Sequence, residues 1–473
     1  MVKHYFKKTI LLSMLALAGC SSLSEPREAA SIIIKNGTVL TMDQNNTVID
    51  NGVVVIRDNK IVSVGDAKLL ARYRAAKVID AEEGIIMPGM INTHNHIPMV
   101  AFRGLGEEGI KNRLFAYFFP LEGEKLSRDL IYKATVHGSI DMAMSGVTTY
   151  ADMYYHIDEM AKASKAVGIR AVLGETVIKF PVVDAKEPYG GVDYAVNVIK
   201  AYQNDELITP AFAPHAPYTV SKEKMQQITT LAKEYQVPVM IHVGEFDDED
   251  KRLKLTDKSV VEYMDEIGVL NERVLLAHAI HLQDGDLDLI KARGAAVAYN
   301  PMANAKGATG IARAYEMLNK GVKVGLGTDG PMSSNQVDLF RTLSYASNMQ
   351  RLKYQDRTIM TPDVVVRMAT IGGAQALNMA DKVGSLEAGK LADVIVVETR
   401  SPNMMPNYDA FATLVFQANP ANVDTTIING RIVVEDKQLK TYDIEQNRQQ
   451  MKAIEADIAE FARGLAQKAK SMD

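Results

Sequence analysis

The sequence predicts an α/β protein, a (β/α)8 TIM barrel carrying a small β-sandwich domain built from both chain ends. Three observations carry that prediction. Eight short apolar runs alternate with helix-length amphipathic segments over about 86–382, the pattern of parallel βαβ units. Runs rich in β-branched residues flank this middle at 31–85 and 383–440. No Gly-x-Gly-x-x-Gly stands directly after the first of the eight runs, the one at Gly104-Leu105-Gly106-Glu107-Glu108-Gly109 lying well beyond the turn that would need it, which argues against an open dinucleotide-binding sheet.

At the N-terminus, Lys3, Lys7 and Lys8 form a basic head before an uncharged, mostly apolar stretch over 9–19. A spanning helix needs about 20 apolar residues, so residues 1–19 read as a signal peptide. The stretch ends Leu17-Ala18-Gly19-Cys20, which resembles the lipobox of bacterial lipoproteins. That resemblance implies a lipid on Cys20, a membrane anchor and an extracytoplasmic location. Ser21 fits sorting to the outer membrane, facing the periplasm. Residues 20–30 are then expected to form a flexible tether. Cys20 is the only cysteine, so no intramolecular disulfide and no cysteine-rich zinc site can form.

The first β segment contains Ile32-Ile33-Ile34, Val53-Val54-Val55-Ile56 and Lys60-Ile61-Val62-Ser63-Val64, separated by the turn formers Asn36-Gly37, Asn51-Gly52 and Asp58-Asn59. The pattern returns at Val394-Ile395-Val396-Val397 and around Asn429-Gly430. Between these segments the apolar runs fall at 85–93, 147–152, 169–177, 208–214, 237–243, 274–280, 295–300 and 322–328. Helices are expected over 129–145, 157–167, 221–235, 257–268, 284–293 and 309–320, and a charged amphipathic helix closes the chain at 441–473. With 473 residues, 47% hydrophobic and 23% charged, the composition is globular. A net charge of −5 offers no attraction for nucleic acid and leaves a small-molecule substrate as the expected partner.

Barrel chemistry collects at the C-terminal ends of the strands. Five of the nine histidines lie there: His94 and His96, His215, His242 and His278. His94 and His96 are two apart on a strand and share a face. Asp329 ends the eighth run. Three imidazoles and one carboxylate suit a single divalent ion, zinc or iron, which lowers the pKa of water toward neutrality. Glu245, three residues beyond His242, is placed to shuttle a proton, and His278 to polarise the substrate or orient the nucleophile. Asp329 can act as ligand and as proton acceptor. His137 in a helix and His156 in a loop read as structural.

Pro88-Gly89-Met90-Ile91-Asn92-Thr93-His94-Asn95-His96, Pro214-His215-Ala216-Pro217-Tyr218, His242-Val243-Gly244-Glu245, Ala277-His278 and Gly327-Thr328-Asp329-Gly330 occur in order. Together they resemble the amidohydrolase superfamily, in its methylthioadenosine/S-adenosylhomocysteine deaminase and chlorohydrolase branch. The resemblance implies that His94, His96, His242 and Asp329 bind one metal, that Glu245 shuttles protons, that His278 assists and that His215 contacts substrate. It also implies a homodimer. Binuclear relatives use a carboxylated lysine; Lys179 is the candidate, but the Glu245 pattern resembles the one-metal branch.

The chain departs from the branch in having no tryptophan. The place that residue takes in the loop after the first strand falls on Arg113, which favours an anionic ligand over a stacked purine. Tyr117, Phe118 and Phe119 remain available to stack. Tyr299-Asn300-Pro301 and Ser333-Ser334-Asn335 also vary the branch's pattern. The expected activity is hydrolytic deamination of a nitrogen heterocycle, a purine, pterin or nucleoside. The alternatives are a chlorohydrolase or cyclic-amide hydrolase on the same site, and a non-catalytic surface binding lipoprotein. The last would be marked by loss of metal residues, and none is lost.

Overall fold

The computed structural model describes residues 27–107 and 109–471. The signal peptide and Cys20 lie outside the described residues. The chain enters through β1 (Glu28–Leu40), β2 (Val48–Arg57), β3 (Lys60–Asp66), β4 (Tyr73–Asp80) and β5 (Ile85–Pro88). Eight strands follow: β6 (Met90–Asn95), β7 (Val147–Tyr154), β8 (Arg170–Val177), β9 (Ile208–Pro214), β10 (Val239–Val243), β11 (Val274–His278), β12 (Ala296–Tyr299) and β13 (Lys323–Leu326). The last four are β14 (Val394–Val397), β15 (Val423–Ile428), β16 (Arg431–Glu435) and β17 (Gln438–Leu439).

The eight middle strands pair in sequence order, each parallel to the next. The sheet bends round until β13 lies beside β6, where the Asp329 amide donates to the His94 carbonyl at 3.0 Å. Alternation along the strands sends Ile91, Ala151, Val172, Ala211, Met240, Leu275 and Ala296 into one interior cluster. Outward residues such as Tyr150, Leu173, Phe212 and Leu276 pack in the larger cluster shared with the surrounding helices. Helices stand where the polar–apolar spacing placed them, Arg128–Met144, Ile157–Val167 and Lys222–Tyr235 among them. Ser127 and Ser221 start two of these by accepting the Leu130 and Lys224 amides.

Both chain ends meet in one nine-stranded sheet, in which β5 lies between β1 and β14. The sandwich expected from the two β segments is therefore hydrogen-bonded continuously. It curls around a common core of Ile34, Val54, Ile56, Ile79, Ile86, Val394, Val396 and Ile427. The tether expected over 20–30 requires a correction, because Glu28, Ala29 and Ala30 already pair with Tyr73, Arg74 and Ala75. The Glu28 carboxylate pins this start to Arg57 and Arg72, a long-range contact that local composition does not carry. The final helix, Ile444–Ser471, buries Ile458, Ala462, Ala466 and Ala469 against the barrel. His137 Nδ1 lies 2.7 Å from Asn447 Oδ1 of that helix, in the structural role expected of it. Among the described residues no helix is long and apolar enough to cross a membrane.

Candidate metal centre and reaction cavity

The strand ends bring the predicted groups to one mouth of the barrel. His94 lies on β6 and His96 just past its end; His242 lies on β10, and His278 is the last residue of β11. Ligand atoms of His94, His96 and His242 lie within 4.8 Å of one another, as do those of His94, His278 and Asp329. His96 Nδ1 donates to the Met153 carbonyl at 2.5 Å and His242 Nδ1 to the His215 carbonyl at 2.7 Å. Each ring has thereby committed its proton, yet their Nε2 atoms face each other at 3.3 Å. Both ring nitrogens of His94 are buried without a hydrogen-bond partner. Asp329 Oδ1 lies 3.5 Å from His94 Nε2 and 3.4 Å from His96 Nε2. Lone pairs converging with a carboxylate oxygen need a cation between them, and the N3O donor set fits one divalent ion.

Electrostatics agree with that fit. Burial pushes His94 down to about 4 and lowers His96 and His242, which keeps the rings in the neutral, ligating form. Asp329 is held well below the carboxylate range: burial opposes this, but the His94 contact and the charge of His278 outweigh it. His278 behaves oppositely. Burial disfavours its charge, but Glu245 and Asp329 raise it, and Asn304 Oδ1 takes the Nδ1 proton at 2.9 Å. Its Nε2 lies 4.0 Å from Glu245 Oε1. Burial raises Glu245 to about 7, so near neutrality it can both accept and release a proton.

Several positioning residues escaped the sequence reading. Glu249 is buried, and its carboxylate accepts from the amides of Gly244, Glu245 and Phe246 at 2.8, 2.9 and 3.3 Å. It thus fixes the turn that aims Glu245, a turn that Gly244 enters at φ +62°. In sequence Glu249 belongs to the run Asp247-Asp248-Glu249-Asp250, which resembles a solvated acidic surface. Thr328 Oγ1 accepts from Asn92 and Asn95 at 2.8 and 2.7 Å, tying β6 to the segment after β13. Gly327 is required there, because a Cβ would stand 2.2 Å from Asn300 Oδ1. Asp152 accepts the Ile97 amide at 2.6 Å and secures the chain after His96.

A cavity of about 280 Å³ opens over His96, His215, His242, Glu245, His278 and Asp329. His215 stands in its wall, 5.1 Å from the His242 ring between centroids, and burial lowers it to about 4. Arg113 also lines the cavity, with its guanidinium over the Phe118 ring, donating to the Met332 carbonyl at 3.2 Å and 3.5 Å from Glu107. Phe118 and Phe119 line it too, whereas Tyr117 is buried and donates to the Ala462 carbonyl of the last helix. Glu122, not singled out in the sequence, completes the wall and accepts from Tyr154 at 2.5 Å. Lys179 lies outside the cluster and donates to the Tyr218 carbonyl at 2.9 Å. His156 rests beside Arg128, Tyr194 and Asp184, away from the cluster.

A barrel with this mouth defines a class, and comparison with known proteins supplies the family. The chain belongs to the amidohydrolase family, whose model matches residues 85–433. It is 35% identical over 436 residues to the 5-methylthioadenosine/S-adenosylhomocysteine deaminase 1 of Syntrophus aciditrophicus, covering 92% of this chain and 98% of that protein. It is 36% identical over 423 residues to the 5'-deoxyadenosine deaminase of Methanosarcina acetivorans, covering 88% and 96%. The solved adenosine deaminase of Xanthomonas campestris with bound zinc matches at a TM-score of 0.89 and 26% identity, covering 92% of this chain and all of that one. The zinc complex of an atrazine chlorohydrolase from Arthrobacter aurescens shares the fold, at a TM-score of 0.83 and 22% identity over 89% of this chain and 99% of that one.

Proposed function

We propose that the protein is a zinc-dependent hydrolytic deaminase of an adenosine-like nucleoside. The carrying observation is the convergence of His94, His96, His242 and Asp329 at one mouth of the barrel, with Glu245 beside His278 at 4.0 Å in the same cavity; burial, which raises the Glu245 carboxyl to about 7, agrees with it. The names of relatives sharing more than a third of the sequence support the substrate class. His94, His96, His242 and Asp329 would hold the ion, which lowers the pKa of water enough to supply hydroxide at neutral pH.

The protein's own groups then act as follows. Glu245 accepts the proton of the water that adds to the amine-bearing carbon. His278, held by Asn304, donates from Nε2 toward the charge that develops there. Glu245 next passes its proton to the amino nitrogen, the C–N bond breaks and ammonia leaves, while the proton of the added hydroxyl passes by way of Asp329 to the ring nitrogen, so that a carbonyl remains. His215, neutral and in the wall, contacts the heterocycle, and Glu122 accepts from ligand hydroxyls. Arg113 contributes polar wall, its charge offset by Glu107.

Metal analysis of protein spanning residues 21–473, coupled to an ammonia assay on adenosine, 5'-deoxyadenosine and 5'-methylthioadenosine, tests this reading. One equivalent of zinc and ammonia release are expected. Zinc-loaded protein silent across a wider panel of aminopurines, pterins and pyrimidines would overturn it, and chloride release from chlorotriazines would reassign the leaving group.

We also propose that Cys20 carries a lipid anchor that places the enzyme outside the cytoplasm. The sole cysteine falling at the end of Leu17-Ala18-Gly19-Cys20 supports this. Cys20→Ser should move the protein out of the membrane fraction or block its processing. Unchanged partition would reject the anchor.

A further inference from the structure

The segment 178–190 joins β8 to the helix Gly191–Tyr202. Its base is closed by the Tyr189 amide, which donates to the Ile178 carbonyl at 2.9 Å. Its tip is a turn in which the Val182 and Ala185 amides donate to each other's carbonyls at 2.8 and 3.2 Å. Val183 and Lys186 are exposed there, yet the Asp184 side chain points inward and is 0% exposed. Its Oδ2 accepts the His156 amide at 2.5 Å. Glu175, near the end of β8, is also buried, and its Oε2 accepts the Ile157 amide at 3.4 Å. Asp184 Oδ1 and Glu175 Oε1 meet no donor, although the two carboxyl groups bond each other. Ionised carboxylates only accept, so that bond requires a proton.

The groups around the pair do not replace that proton. Arg128, on the far side of His156, is committed to Asp158, Glu159 and the Tyr194 phenol. The His156 ring lies 3.9 Å from Asp184 Oδ2, but burial lowers its pKa against the pull of Asp184, so it adds no charge near neutrality. The Tyr155 phenol from β7, Glu122 beyond it and Asp158 are neutral or acidic. Burial and the facing Asp184 accordingly push Glu175 well above the carboxylate range. We propose that one proton shared by Glu175 and Asp184 latches the segment 178–190 onto the end of the barrel, and that its loss at alkaline pH releases the segment. Two facing carboxylates cannot both ionise in a buried site, and Asp184, on an exposed turn, is the one free to leave for water. The latch is therefore complete in acid and is lost as pH climbs through the raised pKa. Tyr155 and Thr176, adjoining His156 and Glu175 in the chain, line the reaction cavity, so release loosens its wall. The inference stands apart from the deaminase reading and needs no substrate for its test.

Hydrogen exchange at the Val182, Ala185 and Tyr189 amides of the purified protein, corrected for the intrinsic effect of pH on exchange, provides that test. Wild-type protection should hold at about pH 6 and fall about tenfold per pH unit once the proton leaves, within the range up to about pH 9 in which buried carboxyls titrate. Glu175→Gln and Asp184→Asn each put an amide N–H where the shared proton stood, with nothing to lose. Both should stay protected throughout. Asp184→Ala should exchange fast at every pH while keeping its metal. Wild-type protection that is flat with pH overturns the latch. So do amide variants that follow the wild-type profile, or an Asp184→Ala protein as protected as the wild type.

Discussion

At the scale of single residues, the site works by keeping two groups of side chains in opposite protonation states a few ångströms apart. His94, His96 and His242 are forced neutral by burial, while His278 is pushed toward its cation by Glu245 and Asp329. Glu245 stands between these regimes at about 7. Replacing its carboxyl by an amide removes the titratable proton and little volume. Glu245→Gln is therefore expected to keep its metal and lose turnover by about 10²-fold or more. Steady-state kinetics beside metal content decide it: full activity would take Glu245 out of the mechanism, and lost metal would make it a ligand instead.

At the scale of elements, the turn after β10 deserves its own experiment. Glu249 accepts three successive amides, so one buried carboxylate sets where Glu245 points. Removing it leaves three donors without their acceptor, at about 1.5–3 kcal/mol for each hydrogen bond to a charged group, reduced by whatever water enters. Glu249→Ala should lower kcat more than it raises KM, retain metal, and lower the melting temperature. Glu249→Gln, which still offers an acceptor oxygen, should recover part of both losses. An alanine variant with wild-type kcat would reduce the turn to a structural detail.

At the scale of the whole molecule, the barrel and the two-ended sheet are joined by a buried ion pair. Arg170 of β8 holds Asp393 in a two-pronged contact at 2.9 and 3.1 Å, and the Asn429 amide donates to the same carboxylate at 2.7 Å. Both side chains are only 3% exposed. Arg170→Ala strands that carboxylate and should cost about 3–5 kcal/mol of stability, because the lone charge stays buried. The double variant Arg170→Met/Asp393→Leu should regain much of the loss in denaturant unfolding. If instead the double variant is the sum of two large losses, the pair is worth more than an apolar joint.

Local patterning in the sequence determined the alternation of strands and helices, seven of the eight barrel strands and the histidines at their ends. The run 85–93, read as the first barrel strand, instead divides into β5 of the two-ended sheet and β6 of the barrel. A period of two or of 3.6 is written in neighbouring residues, and a strand end marks where the barrel mouth must be. The motif order was enough to suggest the one-metal set. The tertiary structure alone decided that His96 and His242, 146 residues apart, bring their lone pairs to 3.3 Å. It also turned Glu249 from an apparently solvated acid into the clamp on Glu245, extended β1 back to Glu28, and sank the Asp184 carboxyl between Glu175 and His156. Those outcomes depend on which distant segments share a wall once the barrel closes, and the side-chain pattern within any one segment holds no record of that distance.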